Sequence, residues 1–339
     1  MNASKHETKG RPMTTTSTAI VVTGSASGAL ATIAGELEGA RAFASASRAP
    51  RTRDAYRLQF GTFAAWCSAR GLEALPALPA TVAAYLVSRT DAGRKVASIA
   101  LALTAIGSVH KAAGHTSPAS HPAVAATWQG IRRTLGTAQR RAAPAAVDEL
   151  RAMLEALPCA GLGAVRDRAL LLVGFAGAFR RSELVALDVA DLAFRSEGLV
   201  VTVRRSKTDQ EGAGAEVAIS AGEHAATCPV RAVRAWLELA SVAEGAVFRA
   251  VDRHGHVGER LDGSEVSRVV KRAAKRAGLD ASRFSGHSLR AGLATTAAKL
   301  GRADRSIMRQ GRWASRTMVD RYVREASLFT DNASAGIGL

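Results

Sequence analysis

Apolar residues recur at helical spacing over most of the first half of the chain. Four stretches show this pattern, and it predicts four helices that pack as one unit. They are residues 53–70, 79–89, 93–114 and 122–136. The first stretch carries Tyr56, Phe60, Phe63 and Trp66 at helical spacing. We interpret these aromatic residues as helix core rather than as a surface that stacks on bases.

The pattern in the second half mixes helices with a short β region. Residues 147–157 and 166–177 predict two further helices. Alternating and β-branched residues in 199–205, and again in 212–220, predict a β-hairpin. The rest of the chain predicts helix to about Ser327. The expected fold class is therefore mainly α with a small antiparallel sheet.

Composition divides the chain into five parts. Residues 1–40 are rich in Ser, Thr, Ala and Gly, which predicts a disordered N-terminal segment. Residues 41–139 form the predicted helical domain, and 140–146 contain Arg140, Arg141 and Pro144, which is typical of a linker. Residues 147–330 form the second domain, and 331–339 are a C-terminal tail.

The charge of the chain indicates a polyanionic partner. Its 339 residues have a formal net charge of +17, which opposes compaction unless a partner neutralises it. Nucleic acid is the favoured partner, and an anionic membrane surface is the alternative. Arginine outnumbers lysine 38 to 8. That excess suits phosphate binding, although a bias toward GC-rich codons explains it as well.

Cysteine usage and hydropathy limit the cellular compartments in which we expect the protein. Cys67, Cys159 and Cys228 are far apart and odd in number, so they predict neither a disulfide framework nor a metal site. A reducing cytoplasm is the expected location. No run of about 18 apolar residues occurs, so we expect no membrane span and no membrane partner.

Basic residues concentrate near the C-terminus. Residues 271–324 contain fourteen Lys or Arg and three Asp or Glu, which exceeds what solubility needs and predicts contact with a polyphosphate. His287 and Arg290 in this region are three residues apart, so they share a helix face and can donate to one phosphate. An ordinary surface pair is the alternative for these two.

Five further residues carry candidate chemistry upstream and downstream of that pair. Arg180 and Glu183 are also three apart, which fits either a site or a salt bridge at a helix start. Lys207 lies in the predicted hairpin turn, where it can bring an ammonium group to DNA or simply be solvated. Tyr322 lies nine residues after Trp313 and is flanked by arginines.

The order of these residues resembles the catalytic set of the tyrosine recombinase (phage integrase) family. The resemblance identifies Arg180 as the first arginine, Glu183 as its acidic companion and Lys207 as the hairpin lysine. It identifies His287 and Arg290 as the His-x-x-Arg pair. Trp313 stands in the place of the second His and Tyr322 in that of the nucleophile. Cre-like members also have Trp there, so we expect Trp313 to donate through its indole N–H.

What the resemblance implies is a site-specific DNA recombinase. Its fold would be a helical core-binding (SAM-like) domain followed by a catalytic domain. The enzyme would break and rejoin DNA through a 3′-phosphotyrosyl bond on Tyr322, with Lys207 as general acid, and without ATP, metal or another cofactor. Scattered carboxylates agree, since two-metal chemistry needs them clustered.

The expected partners are double-stranded DNA and further copies of the chain. Synapsis of two duplexes implies a homo-tetramer on DNA. Seven basic residues of the first domain are candidate DNA contacts, although each could be an ordinary exposed charge. They are Arg51, Arg53, Arg94, Lys95, Lys111, Arg132 and Arg133. The alternatives to a recombinase are a type IB topoisomerase-like relaxing enzyme and a DNA-binding protein without catalysis.

Overall fold

The chain folds into two compact units. The computed structural model describes residues 33–138, 142–206 and 214–327, together with Asn332 and Ser334. The first unit ends at Gln139 and the second begins at Arg140. Each unit has its own hydrophobic core.

Helices make up the first unit. They are α1 (Ala34–Ala46), α2 (Pro50–Ser68), α3 (Pro79–Asp91), α4 (Val96–Ala112) and α5 (Pro122–Leu135). Proline opens α2, α3 and α5, where its fixed φ suits the helix and its missing N–H costs nothing. The predicted helices are observed to within a few residues. Helix α1 differs from expectation, since it starts inside the segment predicted to be disordered. Its Ala-rich sequence favours helix.

Aromatic and aliphatic side chains fill the core of the first unit. Phe63 and Tyr85 are fully buried, and their ring centroids lie 5.0 Å apart in an edge-to-face arrangement. Ile99 and Ile106 of α4 complete the contact with α2. The aromatic stretch in α2 therefore serves the core.

The second unit is mainly helical. Its helices are α6 (Val147–Glu155), α7 (Leu162–Ala176), α8 (Arg181–Ala186), α9 (Pro229–Leu239), α10 (Gly263–Arg276), α11 (Gly286–Lys299), α12 (Asp304–Gly311) and α13 (Arg316–Ser327). Helix α7 is apolar from Ala169 to Ala176 and lies in the middle of the unit, in contact with α9, α10 and α11. Leu170 of α7 is buried in one core with Trp236, Val269 and Leu289 of these three helices. This position fixes the C-terminal end of α7, where the site described below is built.

Two small antiparallel sheets accompany these helices. The larger has the order β1 (Leu192–Phe194), β2 (Gly198–Val203) and β3 (Ala215–Ser220), with Val200 opposite Ala218. The second pairs β4 (Arg249–Val251) with β5 (Val257–Arg260). The expected fold class, mainly α with a small antiparallel sheet, is confirmed.

The expectation of continuous helix after β3 is wrong at β4 and β5. These strands are three and four residues long, too short for an alternating pattern to stand out. A turn closes them, because the carboxylate of Asp252 accepts from the backbone N–H groups of His254 (2.7 Å) and His256 (2.9 Å). Across the described ranges, no helix combines the length and apolar character needed to cross a bilayer.

Candidate active site

The C-terminal end of α7 collects side chains from three other helices. After Ala176 the chain makes a tight turn in which Ala178 has φ +46°. The last carbonyls of a helix have no partner within it and carry partial negative charge. Here the carbonyl of Ala176 accepts from Gln310 (2.8 Å), and that of Ala178 accepts from Arg290 (2.5 Å). The cationic Arg290 therefore bonds to the turn that directly follows the helix.

Glu183 holds the side chain of Arg180. Its Oε1 accepts from Arg180 Nη1 at 2.6 Å, and its Oε2 accepts from the backbone N–H of Arg180 at 2.9 Å. The Glu183 side chain is 1% exposed, against 13% for Arg180. Burial would raise the pKa of Glu183, but Arg312 and the hydrogen bonds from Arg180 lower it below its ordinary value. Glu183 is thus a buried anion that orients cations.

Arg290 is buried within the same cluster. Its residue is 1% exposed, and its guanidinium carbon lies 4.2 Å from the centroid of the Trp313 ring. Desolvation, and then the like charge of Arg180, lower the pKa of Arg290 to about 9, so it remains cationic at neutral pH. Its Nη2 group is buried and meets no acceptor among the described residues. A buried donor of this kind is costly unless a ligand satisfies it.

His287 lies at the start of α11, one turn before Arg290. Ser285 caps this helix, since its hydroxyl accepts from the backbone N–H of His287 at 3.1 Å. Displacement of water by the surrounding chain lowers the pKa of His287, and the nearby arginines lower it further. The imidazole is therefore neutral at neutral pH.

Trp313 is placed by the end of α12. Arg312 has left-handed dihedrals, and the N–H groups of Arg312 and Trp313 bond to the carbonyls of Arg309 (3.2 Å) and Met308 (3.0 Å). This pattern is a Schellman motif. A Cβ on Gly311 would come within 1.8 Å of the Trp313 ring, so only glycine lets the indole fold back there.

Tyr322 of α13 lies against that indole. The two ring centroids are 5.8 Å apart, and Tyr322 is 4% exposed. Its phenol oxygen accepts from Arg321 Nη2 at 2.7 Å, and the Arg321 guanidinium also lies over its ring at 4.6 Å. Contacts therefore run without a break from Tyr322 through Trp313 to Arg290.

The structure brings most of the predicted site residues together. Arg180, Glu183, Arg290, Trp313 and Tyr322 form one contact network, and the charge of His287 is coupled to it. Lys207 lies outside the described residues. The seven predicted DNA contacts are all exposed and belong to the first unit.

Sequence reasoning missed Arg312, which lies between Gly311 and Trp313. Its Nη2 lies 2.8 Å from Glu183 Oε2, and its guanidinium carbon lies 5.0 Å from the centroid of the Phe179 ring. The available signal was an arginine directly after a glycine at a helix end, a place that usually takes glycine. Nothing in the pattern showed that the side chain turns inward.

The cluster carries excess positive charge. Arg180, Arg290 and Arg312 face one carboxylate, Glu183, which leaves two positive charges in a mostly buried setting. Such a setting favours a bound phosphodiester, because low dielectric strengthens charge–charge attraction. In the described part of the chain, no three His, Cys, Asp or Glu side chains are grouped as metal ligands would be.

Comparison with known proteins links the second unit to a protein family. Residues 145–328 match the model of the phage integrase family. The chain is 38% identical over 291 residues to an integrase/recombinase XerD homolog of Selenomonas ruminantium, covering 85% of each protein. It is 26% identical over 286 residues to the recombinase Cre of Escherichia phage P1, covering 78% of this chain and 80% of that one.

Solved structures share the fold. A lambda integrase dimer bound to a COC′ core site superposes with a TM-score of 0.58 at 20% identity, covering 84% of this chain and 74% of that one. The XerH site-specific recombinase in a post-cleavage complex gives 0.53 at 18% identity, covering 75% and 73%. These likenesses extend over most of the chain.

Proposed function

Because the chain belongs to the phage integrase family, and is a site-specific recombinase that catalyses DNA strand exchange, we propose that Tyr322 is its nucleophile. The observation that carries this proposal is the contact path from Tyr322 through Trp313 to the buried Arg290. A tyrosine without such neighbours usually serves only to pack the core. A tyrosine linked to a desolvated arginine with an unpaired donor is placed for phosphoryl chemistry.

Arg180 and Arg290 bind the non-bridging oxygens of the scissile phosphate in this proposal. Their planar guanidinium groups suit phosphate oxygens and neutralise the charge that grows during attack. Glu183 fixes Arg180, and the carbonyl of Ala178 fixes Arg290. Trp313 adds its indole N–H as a further donor.

The chemical step is a transesterification. The Tyr322 oxygen attacks phosphorus, the bond from phosphorus to the 5′-oxygen breaks, and a 3′-phosphotyrosyl bond forms. The neutral imidazole of His287 has an acceptor nitrogen that can take the phenol proton. Lys207 supplies the proton to the departing 5′-oxygen. One ester replaces another, so a second strand's 5′-hydroxyl can reverse the step without ATP.

Double-stranded DNA is the proposed partner. The lambda integrase and XerH structures that share this fold were solved bound to DNA sites. Seven exposed basic residues of the first unit would contact the backbone, namely Arg51, Arg53, Arg94, Lys95, Lys111, Arg132 and Arg133. Exchange between two duplexes requires four cleavages, which favours a homo-tetramer on DNA. We also propose a cytoplasmic location, because the reaction requires access to DNA.

Replacement of Tyr322 tests the nucleophile. The wild-type protein first selects its site by covalent capture from a randomised duplex library, and that site is then nicked so that adduct accumulates. We expect Tyr322→Phe to bind this DNA with wild-type affinity and to form no adduct that survives denaturing electrophoresis. Tyr56→Phe makes the same chemical change in the first unit and should form adduct normally. Adduct formation by Tyr322→Phe, or its absence in the wild type, would contradict the proposal.

A further inference from the structure

Arg312 occupies a backbone position that disfavours its own residue type. Its φ is +54°, and among the described residues only Ala178 and Ser241 are other non-glycine residues with positive φ. An L-residue in this conformation is strained by its Cβ, and glycine is the usual solution. The side chain of Arg312 is nevertheless only 10% exposed. Contacts of that side chain must therefore offset the strain.

All four Nη hydrogens of Arg312 have protein acceptors. Nη1 donates to the carbonyls of Gly177 (3.2 Å) and Gln310 (3.0 Å). Nη2 donates to the carbonyl of Ala178 (3.3 Å) and to Glu183 Oε2 (2.8 Å). The Nη hydrogens are consequently not free for a DNA phosphate, in contrast to Nη2 of Arg290, whereas Nε of Arg312 is buried and has no acceptor among the described residues.

Two of the four acceptors of Arg312 also hold the two phosphate-binding arginines. Glu183 accepts from Arg180 through its other oxygen at 2.6 Å. The Ala178 carbonyl accepts from Arg290 at 2.5 Å. Movement of either acceptor would move the guanidinium that depends on it.

We propose that Arg312 is a positioning residue that fixes Glu183 and the turn at Ala178, and thereby aligns Arg180 and Arg290 on one phosphate. Its Nη groups do so without contacting DNA, because their hydrogens have protein acceptors. This proposal rests on the proposed function, because it assigns a role within that reaction. It explains why arginine is present where the backbone favours glycine.

The test compares single-turnover adduct formation by Arg312→Gly with that of the wild type. Glycine suits the backbone, so the variant loses the guanidinium and relieves the strain together. We expect the rate to fall about 100-fold, as misplaced catalytic groups commonly cause. The Kd for the same DNA should stay within about threefold, because many phosphate contacts set affinity. Ser241→Gly relieves the same kind of strain at an exposed position and should react at the wild-type rate.

A modified substrate separates positioning from general structural damage. A methylphosphonate at the scissile position lacks the charge that Arg180 and Arg290 neutralise. If Arg312 aligns those groups, the rate ratio of wild type to Arg312→Gly shrinks on this substrate. A merely structural role leaves the ratio unchanged, and that result would overturn the proposal.

A double variant tests whether Arg312 acts through Glu183. The rate loss of Glu183→Gln combined with Arg312→Gly should be no larger than that of the more damaging single variant. If Arg312→Gly does not fold, the methylphosphonate and double-variant measurements are made with Arg312→Lys instead. Lysine keeps the charge but lacks the planar fork of the guanidinium group. A wild-type rate in that variant, or in Arg312→Gly, refutes the positioning role. Absence of any wild-type adduct refutes the proposed function instead.

Discussion

The carboxylate of Glu183 accepts three hydrogen bonds within the candidate site. It accepts from the side chain and backbone of Arg180 and from Arg312 while almost fully buried. Sequence spacing suggested the Arg180–Glu183 contact but could not distinguish a site from a helix-start salt bridge. What distinguishes them is a further partner, Arg312, which follows α12 and lies more than a hundred residues later in the chain. Contacts of that range depend on packing, which periodicity does not encode.

The pH dependence of stability follows from the same carboxylate. Because the pKa of Glu183 is lowered in the folded protein, the unfolded chain takes up its proton more readily. The stabilisation is present above the ordinary pKa of 4.5 and is lost as pH falls toward the folded value. We expect Glu183→Gln to lose about 3 kcal/mol of unfolding free energy at pH 7, since it leaves buried arginines without their anion.

Urea unfolding at several pH values checks this expectation. The Glu183→Gln variant should also show a shallower loss of stability below pH 4.5, because its amide does not titrate. Glu238→Gln alters an exposed carboxylate of the same unit and should keep wild-type stability at pH 7. An acid limb as steep in Glu183→Gln as in the wild type would contradict the role given to this carboxylate.

Helix α11 carries His287 and Arg290 and depends on a close backbone approach. A Cβ on Gly292 would lie 1.8 Å from the carbonyl oxygen of Ala145, just before α6. The backbone N–H of Ala145 in turn donates to the carbonyl of Ser288 at 2.9 Å. Helix α11 therefore packs directly against the segment that precedes α6.

Substitution of Gly292 by alanine should disrupt the packing of α11 against the segment that precedes α6. We expect Gly292→Ala to lower the free energy of unfolding by about 1–3 kcal/mol, because backbone atoms must shift to admit the methyl group. Gly163→Ala in α7 is the matched control, since nothing lies within 4 Å of its Cβ and alanine favours helix. Thermal unfolding measures both. Equal stability of the two variants would show that α11 is not held at this contact.

At the scale of elements, sequence predicted long helices well and short strands poorly. Helices α2 to α7 follow apolar patterns of nine to nineteen residues, and their expected ranges are close to those observed. Strands β1, β4 and β5 have three or four residues, and tertiary packing decides them. The turn at Arg312 was not predicted for a related reason, because arginine is not a residue type that indicates a left-handed backbone conformation.

The net charge of the whole molecule follows from the sequence alone. Which of the charged side chains are exposed and which are buried is shown only by the fold. From residue 33 to residue 138, twelve Lys or Arg face five Asp or Glu. Buried arginines in the second unit, such as Arg290, serve the site and not the surface. The net charge of the chain therefore overestimates the positive charge that is exposed to DNA.

Salt dependence of DNA binding tests the basic residues of the first unit. Replacing Arg132 and Arg133 by alanine should weaken binding at every salt concentration. It should also reduce the slope of log K against log salt by about one for each lost phosphate contact. Titrations by fluorescence anisotropy measure the slope, with Arg195→Ala/Arg253→Ala as a charge-matched control on exposed positions of the second unit. Equal slopes for the two double variants would remove Arg132 and Arg133 from the DNA contact.

The central claim is that one tyrosine out of three becomes bonded to DNA. Proteolysis of the trapped adduct after acidic residues places each tyrosine in a different fragment, with Tyr56 in 55–73, Tyr85 in 74–91 and Tyr322 in 321–325. Mass spectrometry of these fragments tests the claim most directly. We predict the nucleotide mass on fragment 321–325 alone. Its appearance on another fragment, with 321–325 unmodified, would contradict the account.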